Sequence, residues 1–381
     1  MKNSAFAKLA FFGILSLLAP VILQAQARDS IFEAESLRSA LRQEIEGNFA
    51  EAEKILKDLM NHKPTSTEGL FALERTLRSQ GRIKDIFPIA QRYQDSEPYA
   101  AIPRIVILRA FEELNAVDEL KKQWSTAEIL PSGSIDRRHV LAEIIRLEIA
   151  RNDVDVQEHF VQFRSEFPDA SEVDELAVML AVKLEINGYD MAAKSLLAGV
   201  ERSKVLLERG YLYLASGEVV PGRSNLRKAV SGLPPTEATN IISLIGLLEK
   251  LEGKALVVVM RSAVLEHRSQ ANLVASEIKS LIDAIPLTDQ PAVLAYSARI
   301  ADNAELRMQA SEFRYLLVHD HPNAAETPEA TLDLARFKAV GSAGVGESIQ
   351  LLEDLIIRHP DNAIVPIARR ELGKLKDGNN L

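Results

Sequence analysis

The chain contains no cysteine. That absence removes disulfides, thiolate metal sites, cysteine nucleophiles and a lipid-modified N-terminal cysteine together. If exported, such a chain is held together by packing alone. Aromatic residues are scarce, 6% of 381 residues, with one tryptophan, Trp124. This counts against an extended sugar-stacking surface. Positive charge is also short: 45 Lys and Arg face 54 Asp and Glu, a net charge of −9. General affinity for nucleic acid or anionic membranes needs a basic surface and is not expected. Beyond residue 23 no run is long and apolar enough to span a bilayer. There is no His-Glu-x-x-His and no Gly-x-Ser-x-Gly motif. "GSAGVG" (341–346) lacks the Lys-Ser/Thr of a phosphate loop and follows a helical pattern, so it reads as a loop between helices. The clusters Glu112–Glu113 and Glu172, Asp174, Glu175 read as solvated faces or helix starts. No catalytic, cofactor-binding or metal-ligating residues are expected.

What is present begins with a leader. Lys2 and Lys8 precede the apolar "LAFFGILSLLAPVIL" (9–23), which Pro20 interrupts, and "AQA" (25–27) is a small-x-small cleavage site. Residues 1–27 therefore read as a cleaved signal peptide, with Arg28 the first mature residue. Removing the two lysines takes the charge from −9 to −11. With no lipid-bearing cysteine, the expected location is the periplasm, without stable membrane insertion after cleavage. An uncleaved anchor is the alternative.

The rest is a repeat of helices. Apolar residues recur at three and four with no alternating stretch, as in "VLAEIIRLEIA" (140–150), and turn residues interrupt every 12 to 18 residues. From Gly47, Ala52, Leu56, Leu59 and Pro64 fall at +5, +9, +12 and +17; from Gly81, Ile86, Ala90, Tyr93 and Pro98 fall at the same offsets. Gly217 repeats the pattern with Gly222, Leu226, Ala229 and Pro234. Gly188 and Gly253 repeat it without the proline, through Ala193, Leu197, Val200 and through Val258, Ser262, Leu265. Asn115 and Asn152 can stand for the glycine, because asparagine accepts the left-handed conformation of a tight turn. Upstream lie Leu206, Gly210 and Tyr213 before Gly217, and Ile242, Ile245 and Gly246 before Gly253.

These positions, at a period of about 34 residues, resemble the tetratricopeptide repeat superfamily. The match is in good register over residues 33–270. Small residues at Ala52, Ala181, Gly210 and Gly246 allow close helix approach, larger ones such as Tyr213 and Leu226 fill the gaps, and prolines end the second helices. The resemblance implies an all-α fold, a right-handed superhelical solenoid of antiparallel hairpins. About seven degenerate repeats occupy 28–270, further repeats and a capping helix occupy 271–376, and a polar tail follows at 377–381. The last portion is similar in texture to the C-terminal repeats of bacterial periplasmic envelope proteins.

His62, His321 and His359 each precede a terminating proline by one or two residues. There a histidine meets the last free carbonyls and the negative end of the helix dipole. They read as punctuation rather than as metal ligands, which must converge. His319 and His321, two apart, point to different sides of a helix.

In tetratricopeptide arrays the inner face comes from the first helix of each pair. The position six residues before each turn is occupied by Arg75, Arg109, Arg146, Val182, Tyr211 and Leu247, with Arg78 one turn below Arg75. This predicts a groove with a basic N-terminal half and an apolar C-terminal half. Its expected partner is a peptide or protein segment that carries acidic residues or a terminal carboxylate. The competing reading has these arginines paired with local carboxylates, Glu112 for Arg109 and Glu143 for Arg146. The function expected is a non-enzymatic interaction scaffold of the bacterial cell envelope. The alternatives are a polysaccharide-active enzyme on stacked hairpins and a self-associating structural array.

Overall fold

The computed structural model describes residues 30–340 and 344–378. The expected leader, part of the glycine-rich loop and the end of the polar tail lie outside them. The chain divides into two compact units, with the boundary between Met179 and Leu180. Among the described residues every regular element is helical.

The first unit contains α1 (30–45), α2 (Phe49–His62), α3 (Thr67–Ser79), α4 (Phe87–Ser96), α5 (Ala101–Glu113), α6 (Val117–Lys121) and α7 (Gln123–Ala127). It continues with α8 (Ile135–Arg151), α9 (Val156–Glu166) and the first half of α10 (Ser171–Ile186). The second unit takes the rest of α10 and then α11 (Asp190–Leu196), α12 (Ser203–Ala215), α13 (Val219–Ala229), α14 (Pro235–Lys250) and α15 (Gly253–His267). It ends with α16 (Ala271–Leu281), α17 (Gln290–Asn303), α18 (Arg307–Asp320), α19 (Thr327–Lys338), α20 (Val345–Arg358) and α21 (Val365–Gly378).

Eight turns share one backbone device. At each a residue with positive φ closes the first helix: Gly47, Gly81, Asn115, Asn152, Gly188, Gly217, Ser269 and Glu305. Its N–H donates to the carbonyl three residues back, and the next N–H donates to the carbonyl five back, as in Gly217 N to Leu214 O (3.0 Å) and Glu218 N to Tyr213 O (2.8 Å). This satisfies carbonyls that the helix end would leave orphaned. Residues at +5, +9 and +12 then fall on one face of the second helix. Ala52, Leu56 and Leu59 are fully buried there, as are Leu226 and Ala229.

The register after Gly217 differs from the expected one. Gly253 does not close a turn. It is the first residue of α15, after an extended Glu252 (φ −132°, ψ 168°). The next turn is at Ser269, so the interval from 217 to 269 is 52 residues where the first two, 47 to 81 and 81 to 115, are 34. The excess is about one helix, α14. Val258, Ser262 and Leu265 therefore belong to a first helix, not a second. The two registers name the same residues because +5, +9, +12 from 253 and −11, −7, −4 from 269 are one set. Helical periodicity identifies a buried face but not which member of a hairpin carries it. Pro286 and Pro322, seventeen residues after Ser269 and Glu305, agree with the observed register.

Packing follows from small residues where helices meet. A Cβ on Gly210 would lie 2.7 Å from Leu226 Cδ2, and one on Gly222 would lie 2.7 Å from Leu214 Cδ2. The core of the second unit runs from Leu206 and Leu214 through Val259 and Ile278 to Leu294 and Phe313. That of the first is built on Leu56, Leu70, Leu73, Leu77, Ile86 and Val106.

Candidate functional site

In the first unit the predicted arginines sit on α3, α5 and α8. Arg75, Arg78 and Arg109 line one depression of about 460 Å3 with Glu74, Glu112 and Glu143. Three cations meet three anions, so this face is charge-balanced rather than basic. Most partners lie on neighbouring hairpins. Arg75 Nη2 binds Glu44 Oε2 at 2.6 Å, and Arg109 Nε binds Glu143 Oε1 at 2.9 Å. Arg78 bridges Glu74 (2.7 Å) and Glu113 (3.1 Å). Arg146, outside the depression, bridges Glu143 (3.1 Å) and Glu175 (3.0 Å). Of the two local pairs expected from sequence, Arg146–Glu143 forms, while Arg109 reaches Glu143 instead of Glu112.

The pairs are layered. Arg75 is 57% exposed over a Glu44 that is 9% exposed, and Arg109 is 42% exposed over Glu143 at 12%. The carboxylates lie beneath and the guanidiniums above. Burial pushes the Glu74 carboxyl up, against the pull of Arg78 and Arg109.

The second unit holds the other two predicted residues, and it separates them. Tyr211, on α12, is 7% exposed and stacks on His267 with ring centroids 3.8 Å apart. It is a core residue of the hairpin stack. Beside it, His267 Nε2 lies 2.8 Å and Arg268 Nη2 2.6 Å from the carboxylate of Glu208. Burial pushes that carboxyl up, but its contacts with His267 and Arg268 outweigh it and hold it below its ordinary value. Leu247, on the extra helix α14, lines a pocket of about 520 Å3.

That pocket arises because α14 interrupts the pairing and faces α17 and α19. Gly246 and Leu247 come from α14, Ala292, Ala295 and Ala298 from α17, and Ala330 from α19. Small side chains leave the space open, and a Cβ on Gly246 would meet nothing within 4 Å. Tyr296, 4% exposed, and Arg299 border it. The Arg299 guanidinium lies 4.8 Å from the Tyr296 ring centroid, and Arg299 Nη2 reaches Glu266 at 3.4 Å. Tyr296 Oη and Arg299 Nη1 are buried without an aligned hydrogen-bond partner. Burial also drives the Tyr296 hydroxyl upward, so it stays a neutral donor. At the rim Lys250 stands 3.8 Å from Glu326, and Arg314 is held by Asp302 and Asp333. Glu329, also at the rim, is exposed.

Arg299 was missed in the sequence because the turn after it is Glu305, not glycine or asparagine. It stands six residues before that turn, as Arg75 does before Gly81. Its partner Glu266 stands three before Ser269, as Glu44 does before Gly47. Pro322 was the available signal.

The histidines sit at or near helix ends. His62 Nδ1 lies 2.8 Å from the Asp58 carbonyl, His321 Nε2 lies 3.0 Å from Gln290 Oε1, and His359 caps α20. Among the described residues no group of three or more His, Asp or Glu is placed to hold a metal ion.

No family model and no curated protein matches the chain. It is similar to several solved structures. One is described as "Structure of Naa15/Naa10 bound to HypK-THB", with 12% identity over 90% of this chain and 61% of that one, and a TM-score of 0.29. Another is "Functional Characterization of Pseudomonas Aeruginosa pilF", with 12% identity over 79% and 97% and a TM-score of 0.29. A third is "Crystal Structure of P58(IPK) TPR Domain at 2.5 A", with 12% identity over 91% and 99% and a TM-score of 0.24. The chain thus spans about three fifths of the first of these. Likenesses this slight carry no function. By its own turn geometry, spacing and small-residue contacts, each unit is, among the described residues, an all-α array of helical hairpins.

Proposed function

We propose that this chain is a non-enzymatic scaffold of the bacterial cell envelope that holds polypeptide segments on the open faces of its hairpins. One observation carries the reading: the second unit keeps an open pocket of about 520 Å3 whose wall is built from Gly246, Leu247 and four alanines. A preformed apolar concavity of this size favours a site that a ligand fills. Stacked hairpins generally act by presenting surfaces to other proteins.

In the first unit the proposed ligand is a segment bearing acidic residues. It would compete with Glu44 and Glu143 for the outward edges of Arg75 and Arg109. The layering of exposed guanidinium over buried carboxylate supports this. The envelope location rests on the leader at 1–27.

The test is expression of the full chain with its leader, followed by intact mass and affinity capture from envelope extracts with mass spectrometry. A mass beginning at Arg28 and a reproducible protein partner, weakened by Arg75→Gln with Arg109→Gln, are expected. Reversal to glutamate is the poorer test, because Glu143 already lies beneath Arg109 and Arg146 and would face like charges. An uncleaved chain would refute the location. A partner insensitive to both substitutions would refute the arginine face.

A further inference from the structure

The helix α1 has two opposite sides that could pack, and one of them is bare. The packed side carries Glu33, Leu37, Ala40 and Glu44. Ala40 is buried in the core of the first unit, with Leu37 beside it. Glu33 binds Lys63 at 2.5 Å and Glu44 binds Arg75 at 2.6 Å, so the helix is anchored near both ends. The other side carries Ile31, Ala34, Arg38, Leu41 and Ile45, at steps of three and four. All five are exposed, Ile31 at 58%, Leu41 at 49% and Ile45 at 79%.

Single exposed apolar residues are ordinary. Three aligned on one outward stripe are not, because the end of a stacked array normally turns a polar face to solvent. Alternating steps of three and four are the seam of a two-helix coiled coil, in which positions a and d repeat in this way. We infer that the stripe pairs with the same stripe on a second copy of the chain, α1 running antiparallel to α1.

The charges beside the stripe specify this occupant. With Ile31 at position a, Glu35 and Arg42 both fall at position e, on the same flank of the seam. Neither has an ion pair among the described residues. In an antiparallel pair the two e flanks meet, so Glu35 of each copy faces Arg42 of the other, and the two-fold axis makes the contact twice. The same register lays Leu41 against the aliphatic stem of Arg38 and Ile45 against Ala34. A parallel pair instead sets Arg38 against Arg38, two like charges in the seam, and keeps Glu35 away from Arg42. The stripe thus supplies its own complement in one orientation. Four turns of helix, about 24 Å long, cover less than the roughly 1,200 Å2 of a stable interface. The pairing is therefore weak and depends on concentration.

The experiment is sedimentation velocity on the full chain, produced with its leader, from micromolar to submillimolar concentration. Wild type should pass from monomer to dimer. Leu41→Glu with Ile45→Glu should abolish the dimer and leave the melting temperature at low concentration unchanged, since both side chains are exposed. Arg38→Leu should tighten the dimer about tenfold. Glu35→Arg should weaken it, and Glu35→Arg with Arg42→Glu should restore it, a recovery that a general change in surface charge does not give. A chain that stays monomeric overturns the proposal, whether the stripe is then bare, covered by an uncleaved leader or taken by a different protein. So does an assembly larger than a dimer, or a dimer that ignores Leu41→Glu with Ile45→Glu. A charge swap without recovery overturns the antiparallel arrangement.

Discussion

Gly210 and Gly246 look equivalent in sequence, each the small residue of a first helix. The structure gives substitution by alanine opposite signs at the two sites. At Gly210 a Cβ would sit 2.7 Å from Leu226 Cδ2, 2.8 Å from Leu226 Cγ and 3.3 Å from the Gly222 carbonyl oxygen. Leu226 is fully buried and cannot swing into solvent. Overpacking of this kind costs about 1–3 kcal/mol, while replacing glycine by alanine in a helix gains about 1 kcal/mol. With two contacts below 3 Å the upper half of the range applies, so Gly210→Ala should lose about 1–2 kcal/mol. At Gly246 nothing lies within 4 Å, so Gly246→Ala should gain about 0.5–1 kcal/mol. For a unit of this size one kcal/mol moves Tm by about 2–4 °C. Calorimetry on the full chain should show the transition of the second unit lowered by Gly210→Ala and raised by Gly246→Ala. If Gly253 closed a tetratricopeptide turn, Gly246 would face a second helix as Gly210 does, and both substitutions would destabilise. Two shifts of the same sign would therefore overturn the observed register.

Three further outcomes follow from the same geometry. Burial pushes the Glu148 carboxyl up to about 7, which the nearby His159, 2.8 Å away and stacked on Trp124, only partly opposes. The fold therefore favours its protonated form. Stability from this group is full below its unfolded value near 4.5 and is lost as pH rises through 7, by about 3 kcal/mol at most. Glu148→Gln should flatten the Tm profile between pH 5 and 8; a profile parallel to wild type would refute the assignment. Arg268→Ala leaves Glu208 with His267 alone and should cost about 2–4 kcal/mol. Because the Glu208 carboxyl is held low, the variant should also unfold at higher pH during acid titration followed by circular dichroism; an unchanged acid midpoint would count against the pair. Gly217 turns at φ +79°, so Gly217→Ala should cost about 1–2 kcal/mol, read as a shift of the urea midpoint; no shift would mean the turn relaxes.

Helices, the hairpin period and the buried faces over most of the chain are legible in the order of residues alone. Offsets of five, nine and twelve from Gly47, Gly81 and Gly217 are enough to place Leu56, Ala90 and Leu226 inside, because one helical period fixes which side chains share a face. That order also placed Arg75, Arg78 and Arg109 together, since a common position in successive hairpins becomes a common surface. Which carboxylates those arginines meet was settled only by packing: Glu44 and Glu143 are about thirty residues away and reach them from neighbouring hairpins. The register after Gly217 was likewise a tertiary decision. Val258, Ser262 and Leu265 fit either helix of a pair, and Ser269 and Glu305 carry no compositional mark of a left-handed turn. The extra helix α14 and its pocket follow from that choice. A cavity exists where helices fail to close on one another, and no local run of residues records which helices those are.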